Sequence, residues 1–436
     1  MRNFRTIWES LGFRDNPYSA EPLEPTEEDF GLFVGREAES RLFATTISNK
    51  AGCISVVEGD VGVGKTSFVN AMEYAAYQRK VDFIPRVLPS FRKIQFFDGI
   101  TVNEFLLSVL SNGIFSLIQL FGAERVTSEA FFREMYTWLN QLIYTSKGIQ
   151  AGITVLGTGG SFGRTTGESP VSTTQVPTMA LIVKLEEFVE RVRDRFELDG
   201  CMIPVNNMDI VDEDRLISFL NQIRDGILDR NYIWWVLIGS KGTFSLFERK
   251  ARRISEKITG TGVALNPLSS DELLEAVRVR MQALRMRADV QAPIPEEVIR
   301  LLYEVSKGEI RFIFKRATDL IIEVKSLYPS AVSISLEQAL GTLRGLAEKR
   351  IAALYLTRAE EKILSRMAEV GEFRPKEYAL FGLKSAQALN KYLSKFVEEE
   401  LLSRTKEGGA SVYRTRGDVN FLFPAPYKPE IQRKSL

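Results

Sequence analysis

Residues 59–67 read Gly-Asp-Val-Gly-Val-Gly-Lys-Thr-Ser, which is the spacing G-x-x-x-x-G-K-[ST]. The residues before it, Cys53-Ile54-Ser55-Val56-Val57-Glu58, predict a buried strand, and Phe68 to Tyr77 predict a helix. A strand, a glycine-rich loop and a helix in that order are the context a phosphate-binding loop requires. Its glycines let backbone N–H groups close around phosphate oxygens, where a Cβ would block the approach. The following helix turns its positive dipole end toward the same oxygens. The candidate cofactor-binding residues are therefore Gly59, Asp60, Val61, Gly62, Val63, Gly64, Lys65, Thr66 and Ser67. Lys65 would reach the β and γ phosphates, and the Thr66 hydroxyl is the candidate metal ligand, on Mg²⁺. The implied cofactors are ATP or ADP with Mg²⁺.

At 436 residues the chain is long enough for about three domains. Its net charge of +1 gives no global pull toward nucleic acid or acidic membranes, so any such attraction must be local. No basic-flanked apolar run opens the sequence, so no signal peptide is expected. No uninterrupted apolar stretch of about 18 residues predicts a membrane span. Cys53 and Cys201 each open an apolar run and read as reduced core residues of a cytoplasmic protein. There is no histidine. Ser-His-Asp and Cys-His nucleophilic chemistry is excluded, as is a histidine pH switch. Catalysis, if present, rests on carboxylates, amides, Lys, Arg and a metal ion, parts that suit phosphoryl transfer.

Strand-like runs alternate with helical spacing through the first half of the chain, which predicts an α/β fold with a mostly parallel sheet. Residues 81–95 carry a second strand into Arg92-Lys93-Ile94-Gln95, and 102–146 read as two or three helices. Residues 147–178 are rich in Gly, Ser and Thr and read as an insertion. It is either a solvent-exposed hairpin without a role, or a loop that touches DNA or a neighbouring subunit. Leu181–Leu198 reads as a helix, Cys201–Val205 as a buried strand, Leu216–Leu228 as a helix and Tyr232–Ile238 as another buried strand. From about Asn266 the pattern is helical. The expected domains are 1–263, a nucleotide-binding core with the 147–178 insertion; 264–355, a helical lid; and 356–436, a third unit with a proline-bearing tail.

Hydrolysis needs an acidic residue at the end of a neighbouring strand and a carboxylate to polarise water. The expected place, after Cys201–Val205, holds Asn206-Asn207-Met208-Asp209. Amides at Asn206 and Asn207 offer no charge to Mg²⁺ and make poor bases. Asp209 arrives late, although it or a nearby acid can partly compensate. Nucleotide binding with slow or absent hydrolysis is the expectation. Ser240, after the Tyr232–Ile238 run, is a candidate γ-phosphate sensor or a simple turn residue. Arg311, in Gly308-Glu309-Ile310-Arg311, either brings a helical lid over the phosphates or is an ordinary surface arginine.

Over roughly residues 14–345 these parts resemble the AAA+ superfamily, in its initiator-like and STAND-like branches. Asn16-Pro17-Tyr18 and Val34-Gly35-Arg36-Glu37 are similar to the family's N-terminal boxes. The resemblance implies that Pro17, Tyr18, Val34 and Gly35 lie against adenine. It places Asn206 to Asp209 where the family carries acids, a departure from its pattern. It places Ser240 and Arg311 at the family's two sensor positions. It also implies a homo-oligomer in which one subunit's arginine enters its neighbour's site, with Arg252 or Arg253 as the candidate.

In the third unit, Thr357 with Glu360 three residues on predicts a capped helix start. Helices at Thr357–Val370, Pro375–Leu380 and Ser385–Glu399 precede two strands around Glu407-Gly408-Gly409. This order resembles a winged helix-turn-helix. The resemblance implies that Lys384, Ser385, Gln387, Asn390, Lys391 and Lys395 face duplex DNA, with Arg404, Lys406 and Arg414 on the wing near phosphates. Residues 371–436 carry 12 Lys and Arg against 8 Asp and Glu, a mild excess. The unit either binds duplex DNA or docks a protein partner.

The combined expectation is a cytoplasmic ATP-binding switch with slow or absent hydrolysis. It would couple nucleotide state to DNA binding or assembly through the winged helix. The alternatives are a non-enzymatic ATP-bound scaffold whose winged helix docks a protein, and a transcription regulator with an ATP sensor.

Overall fold

The computed structural model describes residues 5–81, 84–145, 176–208, 212–407 and 410–423. The insertion expected at 147–178 lies outside these residues, except for its last three. Two compact units divide the chain. One holds residues 22–59 and 64–265; the other holds 1–21, 60–63 and 266–436.

The first unit is built on a parallel sheet. Its strands are β1 (Cys53–Gly59), β2 (Val87–Leu88), β3 (Ile94–Gln95), β4 (Gly200–Asn206), β5 (Ile233–Gly239) and β6 (Val263–Leu265). Their order is β2-β4-β5-β1-β6, with β3 pairing the end of β4. Strands covered on both faces read as continuous apolar runs, and Ile233 to Ile238 are all buried. Parallel register then decides the site. Glu58 lies beside Gly239, and Val205 beside Leu237. The C-terminal ends of β1, β5 and β4 therefore finish along one edge. The three-residue β6 escapes sequence reading because it is too short to show a period.

The helices of this unit include α1 (Glu37–Ile47), α2 (Lys65–Tyr77), α3 (Val102–Phe121), α4 (Ala130–Thr145), α5 (Thr178–Phe196), α6 (Glu213–Ile223) and α7 (Thr243–Lys250). By length and composition alone α3 could cross a membrane, but 61% of its most apolar window is buried inside the protein, as in a core helix. Its Phe105 stacks on Trp235 of β5 at 5.7 Å between ring centres. The core also holds a buried ion pair, between Glu73 of α2 and Lys93 ahead of β3. Ser90 donates its N–H to the same carboxylate at 2.8 Å. Burial pushes the Glu73 carboxyl up to about 7, and Lys93 opposes the rise. The pair ties the helix that leaves the phosphate loop to the β2–β3 connection.

The second unit has two cores. Four helices, α8 (Ser270–Leu284), α9 (Glu296–Ser306), α10 (Ile310–Leu327) and α11 (Leu336–Ala352), form the first around Leu274, Leu302, Ile313 and Leu320. Trp8, Phe13 and Tyr18 join that core, so the N-terminal segment packs with these helices rather than with the α/β core to which it was expected to belong. Thr318 of α10 fixes it, bonded to both Asn16 and the Tyr18 carbonyl.

The second core belongs to a winged helix: α12 (Arg358–Val370), a short 3₁₀ turn (Pro375–Phe381), α13 (Ala386–Glu398) and an antiparallel sheet in the order β7-β9-β8. Those strands are β7 (Glu372–Phe373), β8 (Leu402–Glu407) and β9 (Ala410–Thr415). Thr357 and Glu360 form the expected capping box at α12. A last helix, α14 (Gly417–Leu422), was not expected. Its six residues carry too few apolar positions to declare a helix, and it forms by packing between the two cores.

Replacing Lys93 by Met should leave the buried Glu73 carboxyl without its partner, so that it must take up a proton to stay buried, and cost about 3 kcal/mol in denaturant unfolding. The double variant Glu73→Leu/Lys93→Met should recover most of that loss, because both charges then leave the core together.

Candidate nucleotide site

β1 ends at Gly59 and α2 begins at Lys65, so the five residues 60–64 make the whole turn. Gly64 has φ +95° and caps α2, a backbone shape that L side chains rarely adopt. Gly62 has φ +76°, and a Cβ there would meet the Glu309 stem at 2.7 Å. These two glycines are required by conformation in one case and by conformation and space in the other. Lys65 Nζ donates to the Gly59 carbonyl at 2.8 Å, which holds the ammonium group across the mouth of the loop. Thr66 stands on the first turn of α2, half-buried. Ser67 faces elsewhere: its hydroxyl accepts from the Leu23 N–H at 3.1 Å, and Asn70 donates to the Leu23 carbonyl. Ser67 therefore anchors the chain entering the unit.

Ser240 follows β5, which lies between β1 and β4, and is half-buried. Asn206 ends β4, and its Oδ1 is buried without a hydrogen-bond partner. An unpaired buried acceptor is costly and rare. The water shell of a divalent cation supplies the donor that such an oxygen needs, so the residues at this edge fit Mg²⁺ with a nucleotide. Asn207 has φ +66°, and its amide donates to Gln95 Oε1 on β3 at 2.7 Å. That bond turns the side chain toward the neighbouring strand. Nothing local marks Gln95 for this role, because its partner is 112 positions away. Asp209 lies outside the described residues.

Arg311 is exposed on α10, and its backbone N–H donates to the Gly62 carbonyl at 3.4 Å within the second unit. Val34 and Gly35 are half-buried ahead of α1, and the adjacent Phe33 ring lies 6.2 Å from Phe68 of α2. Pro17 and Tyr18 are buried, Tyr18 completely. Burial raises the Tyr18 hydroxyl above its ordinary pKa. The Tyr18 side chain belongs to the core of the second unit.

On the winged helix, Lys384, Gln387, Asn390 and Lys391 are exposed on or just before α13. Ser385 is the N-cap of α13, and its hydroxyl accepts from the Ala388 N–H. Lys395, expected to face DNA, is paired instead with Glu360 at 2.7 Å. Lys395 and the Thr357 N–H hold that carboxyl below its usual range. Arg414 is similarly paired with Glu372 on the adjoining strand at 2.6 Å. Exposed Arg404 donates to Ser411. Lys406 lies on β8, and its side chain is outside the description. Among the described residues, Lys395 and Arg414 are thus engaged by carboxylates of the same chain.

No protein-family model matches this chain, and no curated protein matches it. Solved structures similar to it include the ORC1 protein of Aeropyrum pernix in complex with DNA, 13% identical, covering 96% of this chain and 97% of that one at a TM-score of 0.46. The ORC2 protein of Aeropyrum pernix in ADPNP–ADP complexes is also 13% identical, covering 94% and 96% at 0.46. Drosophila ORC bound to DNA is 14% identical, covering 98% and 95% at 0.40. At such low scores the likeness carries no inference about ligand or partner.

Lys65→Ala should weaken binding of a fluorescent ATP analogue at least about tenfold, the size of a charge-assisted hydrogen bond. Ser67→Ala should leave that binding nearly unchanged and lower stability instead. Equal losses in the two variants would overturn this division of roles.

Proposed function

We propose that this chain is an ATP-binding switch of the initiator-like AAA+ type, with slow or absent hydrolysis. Its nucleotide state sets DNA binding or assembly through the winged helix. The pair of amides at the end of β4 carries the reading. Asn206 and Asn207 stand at the sheet edge where hydrolysis needs acids, one with a buried unpaired oxygen and one tied to Gln95.

The residues divide the work. The backbone N–H groups of the loop and the α2 terminus hold the phosphates, and Lys65 neutralises them. Thr66 would hold Mg²⁺ directly and Asn206 would hold it through water, the ion's part being to neutralise phosphate charge. Ser240 stands where it can report the γ phosphate. Neither Asn206 nor Asn207 can accept a proton at neutral pH, so neither would activate water. Arg311, whose N–H is bonded to the Gly62 carbonyl, is the residue proposed to answer charge at that loop tip. A bound triphosphate therefore persists, and its differential affinity for one conformation drives the switch. Lys384, Gln387, Asn390 and Lys391 are the residues proposed to meet duplex DNA. Arg252 and Arg253, both exposed, are the proposed donors to a neighbouring subunit in a homo-oligomer. The proposed compartment is the cytoplasm.

A second reading is a nucleotide-held scaffold whose winged helix docks a protein. The internal pairing of Lys395 and Arg414 favours it, since those charges are already engaged.

Steady-state Mg-ATP turnover, with and without duplex DNA, tests the first reading. Turnover should stay near background in both conditions, while binding depends on Lys65. Asn206→Asp should raise turnover by restoring a charge near the metal; no gain would remove Asn206 from the metal's water shell. DNA affinity that falls steeply with salt would support DNA over a protein partner, and Lys391→Ala should flatten that slope.

A further inference from the structure

Glu309 is the residue before α10, and it has neighbours on two sides. Its stem packs against Gly62 at the tip of the phosphate loop, where a Cβ would come within 2.7 Å. Its carboxylate takes Arg416, the residue that opens α14 on the winged helix. Arg416 engages it through two nitrogens, with Nε to Oε2 at 3.3 Å. Both side chains are mostly buried, at 13% and 18% exposure, so solvent screens the pair little. Arg416 also lies 3.8 Å from Glu400, which in turn pairs with Arg350 of α11 at 3.5 Å.

A deeper layer holds the same two elements together. Asp418 of α14 is 5% exposed and accepts Arg316 of α10 through both oxygens, at 2.8 and 2.5 Å. Arg350 joins the same carboxylate at 2.6 Å. Asn420 donates to the Val305 carbonyl at 2.7 Å, and the Phe312 ring fills the space beside Gly417. This layer is buried and multiply bonded, so it fixes α14 against α10. The Glu309–Arg416 pair is less deeply buried than this layer, and it stands one residue from the N-terminus of α10 and two from Arg311.

We propose that the Glu309–Arg416 pair is the joint through which a polyphosphate on residues 59–66 alters the docking of the winged helix; this rests on the reading of those residues as a nucleotide site. Phosphate charge at the loop tip repels the Glu309 carboxylate and attracts Arg311 on the same first turn. Both forces turn that end of α10 in one sense and loosen Arg416. The deeper Asp418 layer keeps the winged helix attached while its rim is released. Arg416 then adds its charge to the wing beside Arg414.

The test is hydrogen exchange of residues 410–422 in the full chain, with and without Mg-ATP, alongside Lys65→Ala. Mg-ATP should speed exchange there about fivefold or more in the parent chain, a typical size for coupling between sites. Glu309→Gln should exchange at that faster rate without nucleotide and should not respond to it. Arg416→Gln should behave in the same way, and the double variant should match either single one. Arg416→Lys keeps the charge and should restore part of the response. A Glu309→Gln chain that still responds to Mg-ATP would overturn the joint. So would a parent chain that binds Mg-ATP without changing its exchange. Failure of the parent to bind Mg-ATP at all would overturn the nucleotide site and the joint with it.

Discussion

A phosphate loop works only if its backbone N–H groups converge on one point, and a flexible turn cannot make them do so. Here the convergence depends on β1 being locked between β5 and β6 in parallel register. With β1 fixed, the turn from Gly59 to Lys65 has five residues in which to reverse, and Gly62 and Gly64 adopt left-handed backbone to manage it. The same register brings Ser240 and Asn206 to the edge where β1 ends. Every role assigned to Lys65, Thr66, Ser240 and Asn206 follows from this alignment of strand ends.

Charge is handled differently in the two units. In the α/β unit the buried Glu73–Lys93 pair is sealed in the core and serves packing alone. In the other unit, acids and arginines are spread across the meeting of α10, α11 and α14, partly buried and partly at the rim. A fully buried pair cannot be broken cheaply, whereas Arg416 has a second carboxylate, Glu400, 3.8 Å away to take its charge when Glu309 moves. The first arrangement suits a rigid platform and the second suits a joint. The winged helix also spends basic residues inward: Lys395, Arg414 and Arg416 all bind carboxylates of this chain. Among the described residues, Lys384, Gln387, Asn390, Lys391 and Arg404 remain exposed.

Much of this was legible in the sequence because its causes are local. The phosphate loop is a contiguous motif, and the capping box at Thr357 spans four residues. The apolar runs that became β1, β4 and β5 declare buried strands by composition. The winged helix followed from the order of its helices and its glycine turn. Where the cause was distant, sequence reading missed or misassigned the residue. Nothing near Tyr18 in the sequence points to Thr318, 300 positions later, whose hydroxyl bonds the Tyr18 carbonyl and holds that segment. Lys395 and Arg414 look free in the sequence, and their partners Glu360 and Glu372 lie 35 and 42 positions away.

The sequence by itself determined the chemistry available: a phosphate cradle, no histidine, and amides where acids would support hydrolysis. These are properties of residue identity and short spacing, which survive any arrangement of the chain. Only the tertiary structure decided which charges are free and which are spent. It paired Asn207 with Gln95, left the Asn206 oxygen unpaired, and set Glu309 between Gly62 and Arg416. Those outcomes depend on distances between residues far apart in the chain, and a hydrogen bond or ion pair forms only when folding brings its two ends within about 3 Å.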